Sequence, residues 1–231
     1  MKKTMRYSKS VKSFTAESGS SEDGKGREPI SSLMAPLSRQ STSYELIVIG
    51  TSLGGLRALE ILLAGLPKSF RLPIVIAQHR HKDSDDTLST FLQTQCILPL
   101  KEAEDKEVII PGRVYLAPAD YHLLVEAGCF ALSTEAPVSY ARPSIDVLFE
   151  SAAEAYGNKV IGVILTGSSH DGTQGIFRIK SYGGLAIVQE PSTAESPTMP
   201  KAAIASVAVD WILPLCDISP LLVNLCSRAL K

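Results

Sequence analysis

Glu45-Leu46-Ile47-Val48-Ile49-Gly50-Thr51-Ser52-Leu53-Gly54-Gly55-Leu56 decides the fold. Leu46 to Ile49 form an apolar run of buried-strand length, and a glycine-rich turn ends it. Leu56, Leu59, Leu63 and Leu66 then recur at helical spacing until Pro67 breaks the pattern. A strand over 45–50 therefore runs through a sharp turn directly into a helix, half of a βαβ unit. Further out, β-branched runs predict strands over 74–78, 160–166 and 185–189. Shorter strands are expected over 114–116, 123–125 and 130–132, with Glu126-Ala127-Gly128 as a hairpin turn. Helices are expected over 84–95, 144–156, 172–182 and 200–205, and Ser219-Pro220 reads as the cap and first-turn proline of a terminal one. This alternation predicts an α/β fold, doubly wound around a mostly parallel sheet in Rossmann-like three-layer form, as a single domain with a short antiparallel hairpin.

The 231 residues are 45% hydrophobic and carry a formal charge of −1, so no basic excess points to nucleic acid. No stretch approaches the ~20 consecutive apolar residues of a membrane span, and the basic N-terminus lacks an apolar secretory core. A cytoplasmic protein without membrane insertion is expected. Residues 1–43 hold eleven Ser, three Thr and eight basic against four acidic residues, with too little apolar surface to offset chain ordering. We expect a disordered Ser-rich tail there and one folded domain over 44–231. Cys96, Cys129, Cys216 and Cys226 show no C-x-x-C spacing and read as reduced, mostly buried thiols.

In an open parallel sheet, ligands bind outside the carboxyl ends of the strands. Three residues there carry chemistry: Ser52 after the first strand, His79 after the second, and Asp171 in Leu165-Thr166-Gly167-Ser168-Ser169-His170-Asp171-Gly172. Residues 50–54 match G-x-S-x-G, in which a strand-to-helix turn exposes a serine oxygen and the helix start offers unpaired N–H groups to an oxyanion. His79 is placed to take the serine proton and Asp171 to fix the imidazole. Other readings stay open at this point. The turn also suits an anion-binding helix start; a dinucleotide module lacks the second glycine of G-x-G-x-x-G; an α/β-hydrolase with His170 as base would need its acid earlier in the chain. Asp171 could cap the following helix. His81, His122 and His170, with Asp83, Asp85 and Asp86, give no closed ligand set, so neither metal nor cofactor is expected. Arg80 and Arg142 are candidates for meeting an acidic partner surface, and Met199-Pro200 for bordering the cleft as a helix start.

Read with their surroundings, these residues resemble the catalytic domain of the chemotaxis protein-glutamate methylesterases (CheB-type). The resemblance runs in order through Ile49-Gly50-Thr51-Ser52-Leu53-Gly54-Gly55, Gln78-His79, Glu102-Ala103-Glu104-Asp105, Pro111-Gly112, Tyr115 to His122, Arg142-Pro143-Ser144-Ile145-Asp146-Val147-Leu148-Phe149, Gly162 to Gly167, Asp171-Gly172 and Met199-Pro200. It implies a Ser52, His79 and Asp171 triad and hydrolysis of glutamyl methyl esters on methyl-accepting chemotaxis receptors, at their cytoplasmic helical region, to glutamate and methanol. It also implies deamidation of receptor glutamines. Main-chain donors at Leu53 and Ser168 would hold the oxyanion, and Arg80, Arg142 and Met199 would border the substrate. Leu53 stands where the family usually has Thr, and Gly167-Ser168-Ser169 where it usually has Gly-Met-Gly. Many family members carry an N-terminal receiver domain; 43 residues are too few for one, so a stand-alone form without phosphorylation control in cis is expected. If the two departures misplace the oxyanion donors, the same fold would serve as a catalytically idle receptor-binding scaffold.

Overall fold

The computed structural model describes residues 43–228. The expected tail lies outside these, Ser43 apart. Seven parallel strands form one sheet in the order β3-β4-β2-β1-β7-β8-β9. They are β1 (Leu46–Thr51), β2 (Ile74–Gln78), β3 (Leu100–Glu102), β4 (Val114–Leu116), β7 (Val160–Ile164), β8 (Leu185–Gln189) and β9 (Trp211–Leu213). The hairpin β5 (His122–Val125) and β6 (Phe130–Ser133) pairs antiparallel through a turn closed by the Glu126 N–H on the Cys129 carbonyl.

Both faces of the sheet are covered, as side-chain alternation along β1 requires. Ile47 and Ile49 pack with Leu59, Leu62 and Leu63 of α1 (Gly55–Ala64), Leu92 of α2 (Thr87–Gln95) and Leu222 of α6 (Leu215–Arg228). Leu46 and Val48 pack with Leu148 and Phe149 of α3 (Ile145–Tyr156), Ile176 of α4 (Thr173–Ser181) and Ala203 of α5 (Thr198–Ser206). Strands buried on both faces read as unbroken apolar runs, which is why β1, β2, β7 and β8 stand out in the sequence.

Several bounds differ from expectation for local reasons. The helix expected from Ser84 starts at Thr87, because Asp85 Oδ1 accepts the Thr87 N–H and holds the preceding residues in a turn. The last helix starts at Leu215, leaving Pro220 inside it. Only one N–H beyond the first turn is lost there. The β7 ladder ends at Ile164, although the Leu165 N–H still reaches the Gly50 carbonyl at 3.0 Å. Strands β3 and β9 were not expected. Two of the four thiols are buried, Cys96 and Cys226; Cys129 is half-buried and Cys216 exposed.

The winding places the working edge. From β1 the chain moves outward through β2 to the edge strand β3 and steps back to lay β4 between them, then crosses to lay β7, β8 and β9 on the other side. The central strands β2, β1 and β7 are neighbours, with Thr51 level with Gln78 and Gly50 with Ile164. Residues just past their carboxyl ends share one rim although far apart in sequence.

Candidate active site

Ser52 and His79 lie one residue beyond the last β1–β2 pair, and Asp171 lies in the loop after β7. The Ser52 N–H donates to the Thr166 carbonyl at 3.0 Å, and the His79 N–H to the Thr51 carbonyl at 3.1 Å. The turn after Ser52 needs a left-handed residue, and Gly54 supplies it at φ 78°. Helix α1 begins at Gly55, whose N–H donates to the Ser52 carbonyl at 2.9 Å, so the serine sits at the N-terminal end of the helix. Ser52, His79, Leu53, Leu56, Phe91 and Glu195 share an open cleft of about 630 Å³.

His79 Nε2 and Asp171 Oδ2 are 2.7 Å apart, leaving Nδ1 as the free ring nitrogen. Asp171 is 1% exposed, and five donors surround it. Oδ2 also accepts from the Ile145 N–H at 2.7 Å, while Oδ1 accepts from Ser144 Oγ at 2.9 Å and from the Asp146 and Gly172 N–H groups at 3.0 Å each. The carboxylate thus sits on the N-terminus of α3 as well as against the histidine. Burial works to raise its pKa, but the bond from His79, the Asp146 and Ile145 N–H groups and the His79 charge outweigh it and hold Asp171 below the ordinary value. An ionised Asp171 fixes the imidazole with its proton on Nε2 and Nδ1 ready to accept another.

Asp146 is its counterpart. Burial first, opposed by the Gly175 N–H bond and assisted by the Asp171 charge, pushes its pKa up to about 7. Two neighbouring buried carboxyls therefore hold their protons at different pH.

The turn after Ser52 and the loop before Asp171 are tied through Thr166. Its hydroxyl donates to the Leu53 carbonyl at 2.9 Å, and the Thr51 hydroxyl donates to the Thr166 carbonyl at 2.8 Å. This linkage holds the Ser52–Leu53 turn against the start of the loop that leads to Asp171. Met199 is buried, its N–H on the Gly167 carbonyl at 2.9 Å. A Cβ at Gly167 would stand 1.9 Å from Met199 Sδ and 2.9 Å from Ser52 Cβ, which places the methionine behind the serine.

The arginine candidates are engaged by other parts of the chain. The Arg80 guanidinium is buried against Glu102 Oε1 at 2.6 Å and the Ala117 carbonyl at 2.9 Å. Arg142 grips Asp120 and the Thr134 and Glu135 carbonyls. His170 lines a separate groove with Thr173, Thr198 and Lys201, away from the serine, so the reading with His170 as base has no geometry behind it. His81 is exposed beside Asp83, whereas His122 is buried with Nε2 on the Ala136 carbonyl and Nδ1 accepting the Ser144 N–H. Among the described residues, no cluster of three or more His, Cys, Asp or Glu could hold a metal, and no helix is long and apolar enough to cross a membrane.

Ser144 and Gln78, which bond to Asp171 and to the Ser52 and His79 carbonyls, are not singled out by the sequence reading as site residues. Ser144 has a legible signal as helix cap, its Oγ accepting the Val147 N–H at 3.4 Å, but nothing local announces that it also holds Asp171. Gln78 is a polar residue in an apolar strand immediately before the histidine.

The model of the CheB methylesterase family matches residues 47–222. A chain from Leptospira interrogans serogroup Icterohaemorrhagiae serovar copenhageni (strain Fiocruz L1-130) is 50% identical over 190 residues, covering 82% of this chain and 98% of its own; its name gives it protein-glutamate methylesterase and protein-glutamine glutaminase activities with a provisional qualifier. The protein-glutamate methylesterase/protein-glutamine glutaminase of Thermotoga maritima is 38% identical over 193 residues, 82% of this chain and 56% of that one. The crystal structure of the Thermotoga maritima CheB methylesterase catalytic domain superposes with a TM-score of 0.76 at 40% identity, covering 79% of this chain and 99% of the other.

Proposed function

This chain belongs to the CheB methylesterase family, and we propose that residues 44–231 form its catalytic domain, with Ser52 as nucleophile, His79 as general base and Asp171 as the carboxylate that orients the base. The activity is that of a protein-glutamate methylesterase, a carboxylic ester hydrolase. The observation that carries the residue assignment is the rim itself. A buried, ionised Asp171 lies 2.7 Å from His79 Nε2, and His79 shares its cleft with Ser52.

The Ser52 hydroxyl gives its proton to His79 Nδ1 as Oγ attacks the glutamyl γ-carbonyl. The Leu53 and Ser168 N–H groups receive the oxyanion, and both residues act through the main chain, so their departures from the family's side chains leave the donors in place. The tetrahedral centre collapses, its C–O bond to the methoxy group breaks, and His79 gives its proton to the departing methoxide, which leaves as methanol. Water then gives its proton to the same nitrogen, attacks the acyl carbon and releases glutamate with Ser52 restored. A side-chain amide follows the same course with ammonia leaving, which is the glutaminase reaction. The partners are methyl-accepting chemotaxis receptors presenting a cytoplasmic helical segment, and the site of action is the cytoplasm.

Mass spectrometry after acid quench tests the assignment. A peptide carrying a glutamate γ-methyl ester should leave its acyl group on the Ser52 peptide; methanol release with an adduct on another side chain defeats the assignment.

A further inference from the structure

The nucleophile and the base share one difficulty of position. The β1–β2 ladder ends at the pair Thr51 and Gln78, and the His79 N–H on the Thr51 carbonyl is its last backbone bond, so among the described residues no backbone bond joins Ser52 and His79 themselves. One side chain bridges them. Gln78 Nε2 donates to the Ser52 carbonyl at 3.0 Å and to the His79 carbonyl at 2.9 Å, using both of its hydrogens. The orientation of the amide is not ambiguous, because exchanging its nitrogen and oxygen would aim an acceptor at two carbonyl oxygens.

The other end of the amide is poorly served. Gln78 is 8% exposed, and its Oε1 is buried with no hydrogen-bond partner among the described residues. A buried acceptor without a donor is destabilising, whereas an apolar side chain of similar length would carry no such cost. Space is also reserved for it: a Cβ on Gly55 would stand 2.0 Å from Gln78 Oε1 and 2.7 Å from Thr51 Oγ1. The first residue of α1 is therefore held bare beneath the amide, although its helical backbone would accept a side chain.

We propose that Gln78 is the positioning residue of the reaction, a two-pronged amide that fixes the distance between the Ser52 turn and the His79 backbone beyond the end of the strand ladder. It touches no reacting atom and acts through the two residues that do. The inference rests on the esterase reading above.

The test compares wild type, Gln78→Met and Gly55→Ala. Methionine removes both donors at nearly constant volume, and the alanine methyl displaces the amide without deleting it. For a glutamate γ-methyl ester peptide, kcat should fall about 10- to 100-fold in each folded variant, with KM within about twofold. The second-order rate of Ser52 labelling by a fluorophosphonate probe should fall in parallel. A merely structural glutamine would lower Tm and leave kcat per folded molecule alone. If Gln78→Met does not fold, Gly55→Ala decides. Either folded variant within about threefold of wild-type kcat overturns the inference, whereas a wild type that neither labels nor releases methanol overturns the esterase reading instead.

Discussion

Replacing Asp171 with Asn changes one oxygen into an amide nitrogen where five donors converge, and neither orientation of the new amide is satisfactory. With its oxygen in the Oδ1 position, Ser144, Asp146 and Gly172 keep their acceptor. The NH₂ then faces the Ile145 N–H and forces His79 to accept at Nε2, which moves the ring proton to Nδ1, the atom required to take the serine proton. With its oxygen in the Oδ2 position the tautomer survives, but the Asp146 and Gly172 N–H groups face another donor inside a buried site. One or two buried donors left unpaired cost about 1–3 kcal/mol each, so we expect a loss of about 1–6 kcal/mol in urea unfolding. In a serine protease triad the same exchange lowers kcat about 10⁴-fold through the wrong tautomer, and here a fall on the order of 10³- to 10⁴-fold with little change in KM is expected. The assay is methanol release from a γ-methyl ester peptide, scaled to folded protein. A variant within tenfold of wild-type kcat would refute the orienting role.

Asp146→Asn should change the pH dependence of stability instead. With a folded pKa of about 7 against an ordinary 3.8, the native protein holds the Asp146 proton more tightly than the unfolded chain does. That stability is complete below the unfolded pKa and is lost as pH rises through about 7, by at most about 4 kcal/mol. Denaturant midpoints for the Asn variant should lack this decline; an unchanged slope between pH 4 and 8 would contradict a protonated Asp146 (roughly the window its two pKa values define). Met199→Ala removes a buried side chain behind Ser52 and should cost about 2–4 kcal/mol of stability together with a lower kcat; unchanged kcat would separate the methionine from the nucleophile. Arg80→Ala, which leaves Glu102 without its close partner, should lower Tm but leave KM for a receptor fragment within about twofold, and a large rise in KM would restore Arg80 as a substrate contact.

Ser52, His79 and Asp171 could be singled out as candidates because Ser52 and His79 lie within three residues of the ends of apolar runs and Asp171 lies in the loop after another, and parallel topology carries such positions toward one rim. The strands hardest to read were the edge ones. Leu100-Lys101-Glu102 offers one buried residue in three, and Ile212 of β9 is exposed, so neither shows the run that marks a central strand. Helix α6 was read late because Ser219-Pro220 imitates a helix start, while the apolar anchors Ile218, Leu221 and Leu222 straddle it. The support beneath the site was not legible at all. Ser144 and the α3 N-terminus reach Asp171 across 25 to 27 residues, and Gln78 reaches Ser52 across 26. Hydrogen bonds between residues so far apart leave no local periodicity. Arg80 and Arg142 are expected to be solvated or to meet an acidic partner surface, and nothing local announces that their guanidiniums bond carbonyls and carboxylates of the chain itself.

The central claim, that this rim hydrolyses glutamyl methyl esters through Ser52 and His79, is tested most directly by methanol release from a purified methylated receptor cytoplasmic fragment. Wild type should release methanol as unmethylated glutamate accumulates, and Ser52→Ala and His79→Ala should release none above the uncatalysed rate while keeping the wild-type circular dichroism spectrum. Sustained methanol release by folded Ser52→Ala would contradict the account.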